Sequence, residues 1–271
     1  MNKLLQQFSL LKEIKETKFS ILYLAEDQNS RKVLIKKIKT PFVYDQDVLD
    51  LFKSEFETLS TLKEYPFFIQ AYEWIEKDED KFLVLEYIQG RSLREILDEI
   101  KLKQRAAFKA KQLKTLLQQV SSAIHALHHN SYLNLIHSDL NPGNILLSNN
   151  NEIKIIDFSR VQMMQNLHGA VDGTFHFIPI YTAPELVKQE QFDSRADLFS
   201  LGVIFYELLT GQLPYPARNY TELLIVLETI EITEKQLPKN TDPVLSKILI
   251  GCLQKEPDKR FQDITEILKL L

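Results

Sequence analysis

Around Gly90 the periodicity of the chain changes, and that change limits the folds open to it. Upstream, β-branched and aromatic runs, VLIKKI (33–38) and FLVLEYI (82–88), stand between polar turns such as EDQNSRK and EKDEDK, the pattern of short strands. One helix is expected among them: in VLDLFKSEFETLSTL (48–62), Leu51, Phe52, Glu55, Leu59 and Leu62 recur at helical spacing, and Pro66 closes the run. Downstream the pattern turns helical. Ser92 and Glu95 have capping-box spacing for a helix through about residue 104. An amphipathic stretch covers 109–130, and LFSLGVIFYELLTG (198–211) is apolar on nearly every face and reads as buried. A small β-rich island, 136–147 followed by EIKIIDF (152–158), lies between them. The expectation is one α+β, bilobal domain over 1–271: a strand-rich lobe at about 1–85, a hinge at about 86–90, and a larger helical lobe over 91–271.

Composition narrows the function classes. A net charge of -4 over 271 residues argues against a nucleic-acid-binding surface, which favours a basic face. The single cysteine, Cys252, leaves no internal disulfide, suits a reducing compartment, and reads as a small buried hydrophobe. No apolar run reaches membrane-spanning length. The opening MNKLLQQFSLLKEIKE breaks its apolar residues with Gln and Lys, unlike a secretory signal, and Asn2 stands where myristoylation needs glycine. A cytoplasmic protein without a membrane span is expected. Glycine is scarce: 7 residues, none before Gly90.

The chemistry concentrates in IHSDLNPGNILL (136–147), where Asp139 and Asn144 flank the chain-breaking pair Pro142-Gly143 between apolar residues. Phosphoryl transfer needs a carboxylate near the accepting hydroxyl, oxygen ligands for a metal on the phosphates, and an ammonium on the phosphates themselves. Besides Asp139 and Asn144, the chain offers Asp157 at the end of IKIID, Lys36 on a strand, and Glu55 on the helix that follows, where it can pair with Lys36. Taken singly, Lys36 and Glu55 read as surface residues, and Asp139 and Asn144 as turn formers. Their occurrence as a set favours a site. His125, His128 and His129 share helical spacing but lack a partner set at metal-ligand spacing, and read as packing or surface histidines rather than a zinc site.

In this order the motifs resemble the eukaryotic-type protein kinase family over residues 8 to 271. V33-L34-I35-K36 is similar to its V-A-I-K strand, H137-S138-D139-L140-N141-P142-G143-N144 to its catalytic loop, D157-F158-S159 to D-F-G and A183-P184-E185 to A-P-E. The resemblance implies a serine/threonine-like protein kinase fold with ATP held between the lobes. Lys36, oriented by Glu55, would meet the α/β-phosphates, Asp139 would act as base, and Asn144 and Asp157 would hold Mg²⁺ (or Mn²⁺). It places Leu22, Leu34, Glu86, Ile88 and Leu146 around the adenine. It also makes Asp197 the carboxylate that braces the catalytic loop and Arg260 the partner of Glu185. A protein substrate or a regulatory protein partner is implied.

The chain departs from the family pattern at several positions. The three loop glycines fall on Lys15, Thr17 and Ser20, and side chains there weaken a backbone cradle for phosphates unless Lys15 or Lys18 compensates by charge. Leu34 replaces an alanine and narrows the adenine pocket. Ser138 stands where many members carry arginine, so the chain resembles a non-RD kinase and activation through a phosphorylated loop is not implied. Asn141 replaces a lysine, and Ser159 the D-F-G glycine. Thr174, Tyr181 and Thr182 are candidate phosphate acceptors. The leading expectation is an ATP- and Mg²⁺-dependent transfer to a protein Ser/Thr hydroxyl. The alternatives are a pseudokinase that binds nucleotide or scaffolds a partner, and a small-molecule kinase of the aminoglycoside or choline type.

Overall fold

In the strand Lys32–Ile38 (β3), Val33 and Ile35 are fully buried on one face while Leu34, Lys36 and Ile38 point to the other. That alternation sits inside a five-stranded antiparallel sheet in the order β1-β2-β3-β5-β4, built from Ser9–Glu16 (β1), Ser20–Glu26 (β2), β3, Ala71–Lys77 (β4) and Asp80–Glu86 (β5). The computed structural model describes residues 7–77, 79–131, 134–158, 162–163 and 179–271. Two compact units result: Met1–Gly90 with Lys154–Ser159, and Arg91–Ile153 with Arg160–Leu271.

In the first unit, Ala25, Val33, Ile35, Ile75, Phe82 and Val84 form a core on one sheet face. The other face packs on the helix Gln46–Thr61 (α1), where Ile38, Val43, Val48, Leu49 and Phe52 pack together. Asp45 starts α1 by accepting the Val48 N–H at 3.2 Å, which satisfies one of the unpaired donors of its first turn. The segment Lys154–Ser159 joins this unit through backbone bonds: Ile155 donates to Phe67 O at 2.8 Å and accepts from Ile69 at 3.1 Å. Phe158 seals it edge-to-face on Phe68, ring centroids 5.6 Å apart.

The second unit is mainly helical: Leu93–Lys101 (α2), Ala110–His128 (α3), Pro184–Val187 (α4), Arg195–Thr210 (α5), Tyr220–Thr229 (α6), Pro243–Cys252 (α7) and Ile264–Leu268 (α8). The Ser92–Glu95 capping box forms as expected, but α2 stops at Lys101 rather than near 104, because Lys103 adopts φ 59 and leaves the helix. The helix α5 is buried from Ala196 to Leu208 and ends on Gly211 at φ 74, a cap that glycine forms without strain. Gly202 lets α7 approach closely: a Cβ there would lie 2.7 Å from the Cys252 Cβ. Cys252 is fully buried, as a small hydrophobe would be, and burial pushes its thiol up to about 12. No described helix is long and apolar enough to cross a membrane.

Two strand boundaries differ from expectation. FLVLEYI pairs only to Glu86, whose N–H goes to Gln70 O, so Tyr87 and Ile88 lie outside the ladder. EIKIIDF contributes only Ile153–Ile155: at Asp157 the backbone turns to φ 66, which no strand accommodates. Asp157 therefore stands two residues past the strand and itself takes the left-handed conformation.

Candidate active site

Lys36 lies in the middle of β3, cross-strand from Leu22 on one side and Leu83 on the other. Its ammonium donates to Glu55 Oε2 on α1 at 2.6 Å and sits 3.9 Å from Asp157 Oδ1. The Phe52 ring, 5.2 Å away, backs it. Glu55 is 2% exposed and also accepts the Phe158 backbone N–H. Burial alone would discharge Lys36, but the Glu55 and Asp157 carboxylates outweigh it and hold the ammonium above its ordinary pKa. Burial pushes the Glu55 carboxyl up, with Asp157 adding to that push and Lys36 opposing it. The first unit thus brings together three of the expected residues, one ammonium and two carboxylates, with Asp157 the more solvent-accessible acid.

Leu34 is buried and stands in a cross-strand row with Leu24 and Leu85. Glu86 is held by Lys154 Nζ at 3.0 Å and by the Gln70 N–H at 3.1 Å. Ile88 is half-buried just beyond β5.

In the second unit the loop 136–144 is assembled around Asp197 on α5, a carboxylate with no exposure. Its Oδ2 accepts the His137 N–H and the His128 Nε2, each at 2.8 Å, and its Oδ1 accepts the Ser138 N–H at 2.9 Å. Burial alone would raise this carboxyl; the bonds from His128 and His137 outweigh it and hold it below the usual range. Ser138 takes φ 58, so the chain reverses there and leads into Asp139. Asn144 donates from Nδ2 to Asp139 O at 2.9 Å and to Asp139 Oδ2 at 3.3 Å, placing these two expected residues together. Leu146 follows, half-buried, on the strand Ile145–Ser148.

Asn141 has a role that its residue type alone did not disclose. Its Oδ1 accepts the Gly143 N–H at 2.9 Å and its Nδ2 donates to Asp139 O at 3.0 Å, so a side-chain turn closes the loop. Further along, Glu185 and Arg260 form a buried two-pronged pair at 2.6 and 2.7 Å. Ser159, Gly173 and Thr174 lie outside the described residues.

Sequence reasoning missed a polar cluster around Glu207 on α5. Glu207, 1% exposed, accepts from Arg94 at 3.0 Å, Lys101 at 2.8 Å and the Tyr181 hydroxyl at 2.5 Å; Arg94 also bonds the Tyr181 oxygen. Burial, with Glu207 adding to it, drives the phenol far above its ordinary pKa. The signal was present: an acid inside an otherwise apolar, fully buried helix demands charged partners.

The protein kinase domain model matches residues 8–270. Among curated proteins, the chain is 29% identical over 268 residues to the serine/threonine-protein kinase ULK3 of Xenopus laevis, covering 96% of this chain and 54% of that protein. It is 26% identical over 257 residues to a probable serine/threonine-protein kinase of Clostridium acetobutylicum, covering 92% and 37%. It is 24% identical over 262 residues to the serine/threonine-protein kinase PrkC of Bacillus subtilis, covering 94% and 38%. The chain spans about half the length, or less, of these relatives.

Proposed function

The chain belongs to the protein kinase family, and from that premise we propose that it transfers the γ-phosphate of ATP, with Mg²⁺, to a serine or threonine hydroxyl of a protein. The observation that carries the reading is the Lys36–Glu55 pair. A buried carboxylate holding a strand ammonium at 2.6 Å costs desolvation and contributes little to stability by itself, yet it orients a cation for phosphate.

In this reading Lys36 grips the α/β-phosphates. Asp139 orients the substrate hydroxyl and takes its proton as the new P–O bond forms and the bond to the ADP oxygen breaks. Asn144 and Asp157 would hold the metal through oxygen donors; Asn144 spends its amide N–H on Asp139, which leaves its oxygen for that role. Bound Mg²⁺ would offset charge on the transferring phosphate; the side chains supply position. Asp197 holds the loop that carries Asp139. Leu22, Leu34, Glu86, Ile88 and Leu146 form the adenine surroundings. A protein substrate is the partner that follows.

A nucleotide-binding or scaffolding module without transfer is the second reading, favoured by the glycine-free hairpin between β1 and β2. The aminoglycoside or choline type of kinase is disfavoured by the buried Glu185–Arg260 pair, which belongs with the A-P-E segment. The test is transfer from labelled ATP to a panel of a basic protein, aminoglycosides and choline, followed by phosphoamino-acid analysis. The reading predicts label on serine or threonine of the protein. Label only on a small molecule would replace it.

A further inference from the structure

The hairpin tip that lacks glycine is closed by its own side chains. Thr17 N–H donates to Ser20 O at 2.8 Å, Ser20 N–H donates to Thr17 Oγ1 at 3.1 Å, and the two hydroxyls lie 3.0 Å apart. Lys39, just past β3, straps the tip down. Its ammonium reaches Glu16 Oε1 at 2.6 Å and Thr17 O at 3.2 Å, and its N–H donates to Phe19 O at 2.8 Å. Phe19 packs edge-to-face on Phe42, centroids 5.1 Å apart. No residue from 15 to 20 has a positive φ, so side chains are accommodated without strain. The consequence is chemical: the Thr17 and Ser20 amides are already spent and cannot serve as a backbone cradle for an anion.

The sheet register supplies a replacement. Lys15 pairs with Leu22, and Leu22 with Lys36, so the three side chains stand in one row on one face of the sheet. With strands about 4.8 Å apart, the two lysine backbones are separated by about 10 Å, a span that two long ammonium side chains facing one phosphate chain can bridge. Among the described residues Lys15 makes no ion pair, whereas Lys39 and Lys36 are both committed to carboxylates.

We propose that Lys15 is a phosphate-binding residue: its ammonium neutralises the nucleotide phosphates beside Lys36, replacing the backbone N–H groups of a glycine-rich loop, with Lys39 holding the tip in place. The inference rests on the nucleotide-dependent reading above. It converts the loss of glycine from a defect into a change of recognition, from amide dipoles to a point charge.

The test measures binding of ATP and of adenosine to the wild type, Lys15→Met, Lys15→Arg and Lys15→Gly. Lys15→Met is expected to weaken ATP about three- to tenfold, the effect of one partly solvated charge, and to leave adenosine unchanged. Lys15→Arg is expected to retain ATP affinity. Lys15→Gly is expected to behave like Met, because the neighbouring amides remain occupied. Unchanged ATP affinity in Lys15→Met, or tighter binding in Lys15→Gly, would overturn the inference while leaving the kinase reading intact. A wild type that binds neither ligand would overturn both, and is distinguished by failing before any variant is made.

Discussion

The buried carboxylate of Asp197 holds the backbone of Ser138: the N–H reaches Oδ1 at 2.9 Å, and through it a helix fixes the loop that carries Asp139. The same carboxylate serves His137 and His128, so one acid on α5 accepts from three donors.

Replacing Asp197 with alanine is therefore expected to cost about 3 kcal/mol or more, as in other cases where a buried charge network loses its acid. Urea unfolding of the variant beside wild type checks this. The pH dependence has a defined sign. The folded pKa of Asp197 is depressed, so its contribution is present above the unfolded value of about 3.9 and is lost as pH falls through the lower folded value. The wild type should lose stability more steeply than Asp197→Asn as pH falls below about 4.

The Lys36–Glu55 pair makes a different prediction. Lys36→Met leaves Glu55 buried and uncompensated, and is expected to destabilise the protein by about 3 kcal/mol as well as abolish transfer. Adding Glu55→Gln should recover at least about 1 kcal/mol of stability without recovering activity. A thermal double-mutant cycle reads the coupling. Additive losses would mean the two groups are not partners in solution.

Asn141→Ala removes the turn that ties Asp139 O to the Gly143 N–H. Stability should fall by only about 1 kcal/mol, since the loop borders solvent, while transfer falls about tenfold as Asp139 and Asn144 lose their fixed spacing. Steady-state kinetics at saturating ATP separates the two effects. Asn141→Lys, which restores the residue usual in the family, is expected to do no better than alanine because lysine cannot accept the Gly143 N–H.

Tyr181 is a poor phosphate acceptor in this structure, because its hydroxyl is held by Glu207 and Arg94 and its proton is hard to remove. Mapping of any autophosphorylation should find no label on Tyr181, and Tyr181→Phe should leave total incorporation unchanged.

How much of this was legible in the sequence varies with the physics behind each element. The helix α1 and the start of α2 were readable because apolar spacing and the Ser92–Glu95 box are local signals. The end of α2 was not, since Lys103 leaves the helix at φ 59 with no glycine to mark it. The turn at Asp157 was hidden for the same reason: an apolar run written as strand hides a left-handed residue imposed by tertiary contacts of Phe158. Candidate site residues could be named from motif order, and the Lys36–Glu55 and Glu185–Arg260 pairings with them, but the side-chain turn that closes the loop could not. Asn141 looked like a lost lysine and turned out to be a loop closure. The tip at Lys15–Ser20 looked like a damaged cradle and turned out to be a closed turn: Thr17 bonds Ser20 locally, and the strap comes from Lys39, just past β3 and 22 residues from Thr17.

The most direct measurement puts nucleotide binding and transfer side by side, on one preparation each of wild type and Asp139→Asn. The account predicts that the variant binds Mg²⁺–ATP within about threefold of wild type, while phosphate transfer to a basic protein drops by about 10² to 10⁴. Wild type that binds Mg²⁺–ATP but transfers nothing, or a variant that transfers as well as wild type, would contradict it.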